Sequence, residues 1–282
     1  MKIPNRLQSL VDEGMIDEVI SQLKSGKEAQ VFVVRCGREI RCAKVYKEAH
    51  QRSFKQAAEY QEGRKVRGSR QTRAMAKRTR FGQKEAESAW LNAEVHALYK
   101  LAGAGVRVPK PYLFMEGVLL MELVHDEEGR PAPRLHEVAF TPEKARAYHQ
   151  QMVREVVRML CAGLVHGDLS EFNVLVDASG PVIIDLPQAV NAASNNHASK
   201  MLERDVQNMA NYFGKYAPEL LQTHYGKEIW SLYVAGNLKP DTELTGKFKQ
   251  DEKKVDLQGL MDVIDHALKE EFERLARRDQ HD

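Results

Sequence analysis

Within residues 165–190, VHGDLSEFNVLVDASGPVIIDLPQAV, an aspartate stands five residues before an asparagine, and a second aspartate follows an apolar run. These residue types at this spacing suit phosphoryl transfer. Asp168 could accept or orient the proton of an attacking hydroxyl, while Asn173 and Asp185 offer oxygens to a hard cation such as magnesium. Such a reaction asks little covalent chemistry of the protein, so positioning and charge neutralisation set its rate. His166 is expected to buttress the loop through hydrogen bonds rather than to move protons. The plainer reading, ordinary loop acids between two buried strands, would have to produce all of these features by coincidence.

Two short strands must carry this group. Val174–Val176 form one apolar run and Pro181–Leu186 the next, with Ala178, Ser179 and Gly180 as turn residues, so a hairpin would bring Asn173 and Asp185 to one mouth. Upstream, SGKEAQVFVV reads as a turn entering a strand, and EIRCAKVYK as a second strand on which Ile40, Cys42 and Lys44 share a face. Lys44 is then placed to meet phosphates, as in the V-A-I-K strand; the alternative is an edge lysine whose head reaches water. Residues 84–102 predict a helix with Trp90, Leu91, Val95 and Leu98 inward. Glu94 beside that stripe is the chosen partner for Lys44, and Glu87 the second choice. GVLLMELV predicts a strand ending in a hinge at Met121, Glu122 and Leu123. Thr141 and Pro142 open a helix running to about Ala162, with Ala145, His149, Met152, Val156 and Leu160 on its buried face. Residues 5–23 read as a short amphipathic helix interrupted near Gly14, and 205–213 and 257–275 as helices. Asp205 could brace the catalytic loop, but an acid near a helix N-terminus is the simpler account.

The chain has 282 residues, enough for one two-lobed domain, and its 43% hydrophobic content is ordinary for a globular protein. Cys36, Cys42 and Cys161 form no metal-binding pair and suit free thiols in a reducing, cytoplasmic setting. The N-terminus lacks an apolar signal core, and no run is long enough to span a membrane. The net charge of +2 hides an asymmetry: residues 52–84 hold eleven basic side chains against Glu59 and Glu62. Such a segment hints at a polyanionic partner.

SGKEAQVF, CAKVYK, VPKP, LLMELV, HGDLSEFN and IIDLPQAV together resemble the RIO family of atypical protein kinases, over about residues 16–214. The resemblance is greatest to the subfamily without an N-terminal winged helix. It implies an α+β, two-lobed protein-kinase-like fold: a small antiparallel-sheet N-lobe with one main helix, and a mainly helical C-lobe. An N-terminal helical extension would span 1–24, the N-lobe 25–124 with a basic flexible insertion at 50–84, and the C-lobe 125–282. Residue by residue, Ser25, Gly26, Lys27, Glu28 and Ala29 would form the phosphate-covering loop, with Lys27 and the backbone amides facing phosphate. Lys44 would bind the α/β-phosphates, with Glu94 holding it. Val31, Cys42 and Leu175 would sandwich adenine, and Met121, Glu122 and Leu123 would meet its edge. Asp168 would be the catalytic aspartate, with Asn173 and Asp185 on Mg2+ or Mn2+. The implied activity is that of an ATP-dependent, autophosphorylating serine/threonine kinase acting on itself or a protein substrate. The family's link to ATP hydrolysis also makes Asp185 a candidate phosphoacceptor, and an ATPase switch a variant of the same reading.

The chain departs from ordinary protein kinases. No GxGxxG precedes Lys44, HGD stands where HRD would be, DLP replaces DFG, and no APE follows Asp185. RIO proteins share these features, which argue against a conventional peptide-docking groove. Two competing readings differ in class. One is a small-molecule phosphotransferase of the aminoglycoside- or choline-kinase type, against which SGKEA and DLPQAV count. The other is an RNA- or ribonucleoprotein-binding module using residues 52–84, where Phe54, Tyr60 and Phe81 are too sparse for a stacking platform.

Overall fold

Strict alternation along β3, Glu39–Tyr46, sends its side chains two ways. Ala43 and Val45 are buried on one face, whereas Cys42, Lys44 and Tyr46 point to the other. The computed structural model containing this strand describes residues 3–26, 28–47 and 80–248, with the side chains of 80–90 outside the description. β3 is central in a five-stranded antiparallel sheet of order β1-β2-β3-β5-β4, built from β1 (Glu18–Ser25), β2 (Ala29–Cys36), β4 (Pro111–Met115) and β5 (Val118–Glu122). The β4–β5 connection turns on Glu116 and Gly117, with φ of 50° and 76°. Two consecutive positive φ values match the right-handed twist of a hairpin, and glycine takes one of them without Cβ strain.

Helix α1, Asn5–Asp12, covers one face of the sheet. Its Leu7 and Leu10, both 0% exposed, join Ile16, Phe32, Val34, Ala43, Val45, Val118 and Leu120 in one core. Burying each leucine contributes about 1.5–3 kcal/mol. The expected helix over 5–23 is thus only half correct, because residues 18–25 form β1 and the helical extension does not reach residue 24. β1 is an edge strand exposed along nearly its whole length, so it lacks the alternating burial that announces a strand.

Helix α2, Arg80–Gly103, packs on the opposite face. It begins before the expected residue 84, so 80–84 belong to it rather than to the insertion. Residues 48–79, most of that basic segment, lie outside the described residues, as do Lys27 and the expected helix 257–275. Met1–Lys247 group as one unit, and of the second, Phe248–Asp282, only Phe248 is described.

The second half is mainly helical. Helix α3 (Pro142–Cys161) starts as expected, with the Thr141 side chain accepting from the Lys144 N–H and proline at the first position. Its five forecast inward residues are all buried. After the two-residue strand β6 (Leu164–Val165) comes the β7–β8 hairpin, Val174–Asp177 with Gly180–Ile183. β9 (Val190–Asn191) pairs with β6, and α4 (Ala198–Phe213) and α5 (Tyr225–Val234) complete the layer. Val174, Ile183, Met152, Val206 and Phe213 share one core, which seats the hairpin on α3 and α4.

Candidate active site

Lys44 reaches from β3 to two carboxylates on separate elements. Its Nζ donates to Glu94 Oε1 at 2.6 Å and to Asp185 Oδ1 at 3.2 Å. Glu94, only 4% exposed on α2, is the partner expected; the Glu87 side chain lies outside the described residues. Burial opposes the Lys44 charge, but Glu94, Tyr46 and Asp185 outweigh it and hold its pKa well above the ordinary lysine value. The same ammonium is the main cause that keeps Asp185 below the usual carboxylate range. Both groups are therefore ionised at neutral pH, as a phosphate-binding cation and a metal-binding anion need to be.

The hairpin register pairs Val174 with Ile183, and the Ile184 N–H donates to the Asn173 carbonyl at 3.0 Å. Asn173 and Asp185 therefore emerge at the same end of the hairpin, as its sequence implied. Asp185 sits at φ 67°, a left-handed conformation that costs a non-glycine residue about 1 kcal/mol or more and that clusters at functional sites. Asn173 Nδ2 donates to the Asp168 carbonyl at 2.9 Å and lies 3.4 Å from Asp168 Oδ2. Its Oδ1 is the atom left to serve as a ligand. Burial raises the Asp168 pKa, partly offset by His166 and Arg204.

The loop bearing Asp168 is held by Asp205, which the sequence offered as a brace but set aside, and by Arg204 and Asn208, which it did not single out. Asp205, 1% exposed, accepts from the Gly167 N–H at 2.7 Å and the Leu169 N–H at 3.0 Å. It lies inside α4, which starts at Ala198, so its role is bracing and not that of an N-terminal acid. Burial lifts its pKa to about 6. Gly167 has φ 81°, a turn glycine tolerates, and its carbonyl accepts from Arg204. Asn208 Nδ2 donates to the Leu169 carbonyl at 2.9 Å. His166, 2% exposed, accepts the Asp168 N–H on Nδ1, so its Nε2 carries the proton that faces the Ile184 carbonyl at 3.2 Å. It buttresses the loop, as expected. Gln188 Nε2 stands 3.5 Å from Asp168 Oδ2, a contact that no spacing rule would have flagged.

Residues 30–225 match the family model of the RIO domain. The chain belongs to the RIO family. It is 37% identical over 210 residues to the RIO-type serine/threonine-protein kinase Rio1 of Haloferax volcanii, spanning 73% of this chain and 67% of that one. Identity to the Methanocaldococcus jannaschii Rio1 kinase is 32%, with the same coverage. Human serine/threonine-protein kinase RIO1 is 30% identical, across 75% of this chain but only 36% of its own length. Among solved structures, the Rio2 kinase–ADP/Mg2+–phosphoaspartate complex of Chaetomium thermophilum shares the fold, with a TM-score of 0.52, 19% identity, and coverage of 82% of this chain and 74% of that one. The α+β kinase-like architecture and the atypical serine/threonine kinase class both stand on these likenesses.

In this RIO chain Val31, Val33, Cys42, Met121 and Leu123 form a small apolar patch on the Lys44 side of the sheet. Burial pushes the Cys42 thiol up to about 12, so it acts as a hydrophobe. Leu175 is half-buried on the hairpin face opposite the core residues Val174 and Val176. Glu122 spends its N–H on the Lys110 carbonyl at 2.8 Å and its carboxylate on the Lys110 N–H at 3.0 Å, so it offers a ligand less than Met121 or Leu123 does. The Ser25–Ala29 segment also differs in detail from expectation. The Gly26 N–H is taken by the Ala29 carbonyl at 2.9 Å, while Lys47 Nζ donates to the Gly26 carbonyl at 2.6 Å. Lys24, absent from the sequence-based set, is lowered in pKa by burial and by Arg134, against the pull of Asp185.

Proposed function

We propose that this RIO kinase transfers the γ-phosphoryl group of ATP to a serine or threonine hydroxyl, on itself or on a protein substrate, with a divalent cation at Asn173 and Asp185. The observation that carries the reading is the Lys44 ammonium bonded to both Glu94 and Asp185, beside the Asp168–Asn173 pair. Among the described residues there is no cluster of three or more His, Cys, Asp or Glu able to cage a metal. Two protein oxygens fit magnesium, which keeps waters and shares phosphate oxygens instead of demanding a full protein cage. Bound there, the ion would supply charge neutralisation for the phosphates. The chain's own groups do the rest. Lys44 balances phosphate charge, Glu94 fixes the amine, and Asp168 orients the hydroxyl and receives its proton. Val31, Cys42, Met121, Leu123 and Leu175 provide apolar surface for adenine, with Ser25–Ala29 over the phosphates.

Asp185 is a second acceptor candidate. It is ionised, its side chain is 47% exposed, and the Rio2 relative was solved with phosphoaspartate. In that branch the carboxylate oxygen would attack the γ-phosphorus, ADP would leave, and water would later hydrolyse the acyl phosphate. Incubation with γ-labelled ATP and Mg2+ tests the proposal. Acid-stable label marks serine or threonine, and hydroxylamine-labile label marks the aspartyl branch. Label passing to small amines and never to protein would refute it.

A further inference from the structure

Lys44 bridges Glu94 on α2 and Asp185 beyond β8, so something must set the distance between those two elements. The connection leaving α2 meets both the hairpin and α3 at one residue, Arg107, through three of its groups. Its N–H donates to Glu155 Oε2 at 2.8 Å. Its carbonyl accepts the Ile183 N–H at 2.8 Å, two residues before Asp185. Its Nη2 straddles both oxygens of Asp177, at 2.7 and 2.6 Å.

Both carboxylates are themselves fixed. Glu155 on α3 is 3% exposed and also accepts from Arg158 Nη1 at 2.6 Å. Asp177 Oδ1 accepts the Ser179 and Gly180 N–H groups at 2.7 and 3.0 Å, which pins the β7–β8 turn. The result is a closed ring of contacts: Lys44, Glu94, α2, Arg107, the hairpin, Asp185 and back to Lys44. Val106 and Val108, both buried, hold the flanks of Arg107 in the helical core.

We propose that the Arg107 guanidinium is a positioning group for phosphoryl transfer. By locking the hairpin to the exit of α2, it sets the Glu94–Asp185 spacing that the Lys44 amine spans. It touches no reactant; it acts through Asp177 and the hairpin. The inference rests on the kinase reading of the site, and the two can fail separately.

The test uses the full chain with Arg107→Ala, Arg107→Lys and Asp177→Asn, and the Ala/Asn double variant. Every variant keeps the two backbone bonds of residue 107. Asp177→Asn also keeps an oxygen for the turn, so it serves where Arg107→Ala folds poorly. Self-labelling from γ-labelled ATP is measured for kcat, KM for ATP and half-saturating Mg2+, with the thermal midpoint alongside. Misplacing reacting groups by about 1 Å costs up to about 100-fold. We expect kcat to fall about 10- to 100-fold in Arg107→Ala, with KM for ATP within about twofold. The Mg2+ requirement should rise, Arg107→Lys should recover part of kcat, and the double variant should be no slower than the worse single one. Unchanged kcat per folded molecule, or losses that multiply in the double variant, would overturn the proposal. A wild-type chain that transfers no phosphate at all would instead refute the kinase reading.

Discussion

Replacing Asp205 with asparagine should separate catalysis from stability in this protein. The carboxylate is 1% exposed and accepts two backbone N–H groups on either side of Asp168, at 2.7 and 3.0 Å. Asparagine has one acceptor oxygen, so one of those amides loses its partner, at a cost of about 1–3 kcal/mol. Opposing this is the burial that raises the Asp205 pKa from 3.8 to about 6. A folded pKa above the unfolded one means that the folded state binds the proton more tightly. The group's contribution is most favourable below about pH 4 and is lost as pH rises through about 6. At pH 7 the charged form therefore costs roughly 3 kcal/mol, which the neutral amide would remove. Global stability should thus change little. The orphaned amide, however, loosens the segment that aims Asp168, and 1–3 kcal/mol on the barrier is about a 5- to 150-fold loss in kcat. Self-labelling rates measured from pH 5 to 8, beside urea unfolding, test this. The wild type should lose activity below about pH 6, and the variant should be slow throughout with that acid limb flattened. A variant within twofold of wild type at pH 7, or one whose rate loss equals its unfolded fraction, would refute the bracing role.

Other outcomes follow from the same contacts. Glu94→Gln keeps the shape but removes the charge beside Lys44; with Asp185 still 3.2 Å away, the fold should survive while kcat falls at least tenfold, read by single-turnover labelling. Leu10→Ala opens a hole under the sheet and should cost about 2–5 kcal/mol in urea unfolding without changing KM for ATP, since Leu10 faces away from the Lys44 side.

What could be read from the chain was local. The hairpin register, Lys44 on its strand, the Thr141–Pro142 start of α3 and its buried stripe all depend on spacings of a few residues. Glu94 was reachable because a phosphate-facing lysine needs a carboxylate and Glu94 lay beside the inward stripe of the next helix, ahead of the second choice Glu87. The bracing pairs were less legible: Asp205 was named as a brace but set aside for a helix N-terminal acid, and the Arg107–Asp177 pair was not named, because both contacts cross long separations that no periodicity encodes. β1 was mistaken for helix because Val19, Ile20 and Leu23 happen to fall at helical spacing on an exposed edge strand. Gly26 spends its amide on its own loop, a detail fixed by Lys47 and Ala29 and hidden in a glycine-containing motif.

The most direct measurement compares the wild type with Asp168→Asn. Both would be loaded with ATP and Mg2+, and nucleotide binding and phosphate transfer would be recorded in the same sample. The amide preserves the loop's shape, so the variant should bind nucleotide within a few-fold of wild type while transferring no detectable phosphate. Transfer at a near-native rate by the variant would show that the group beside Asn173 does not receive the proton, and the site would need another chemistry.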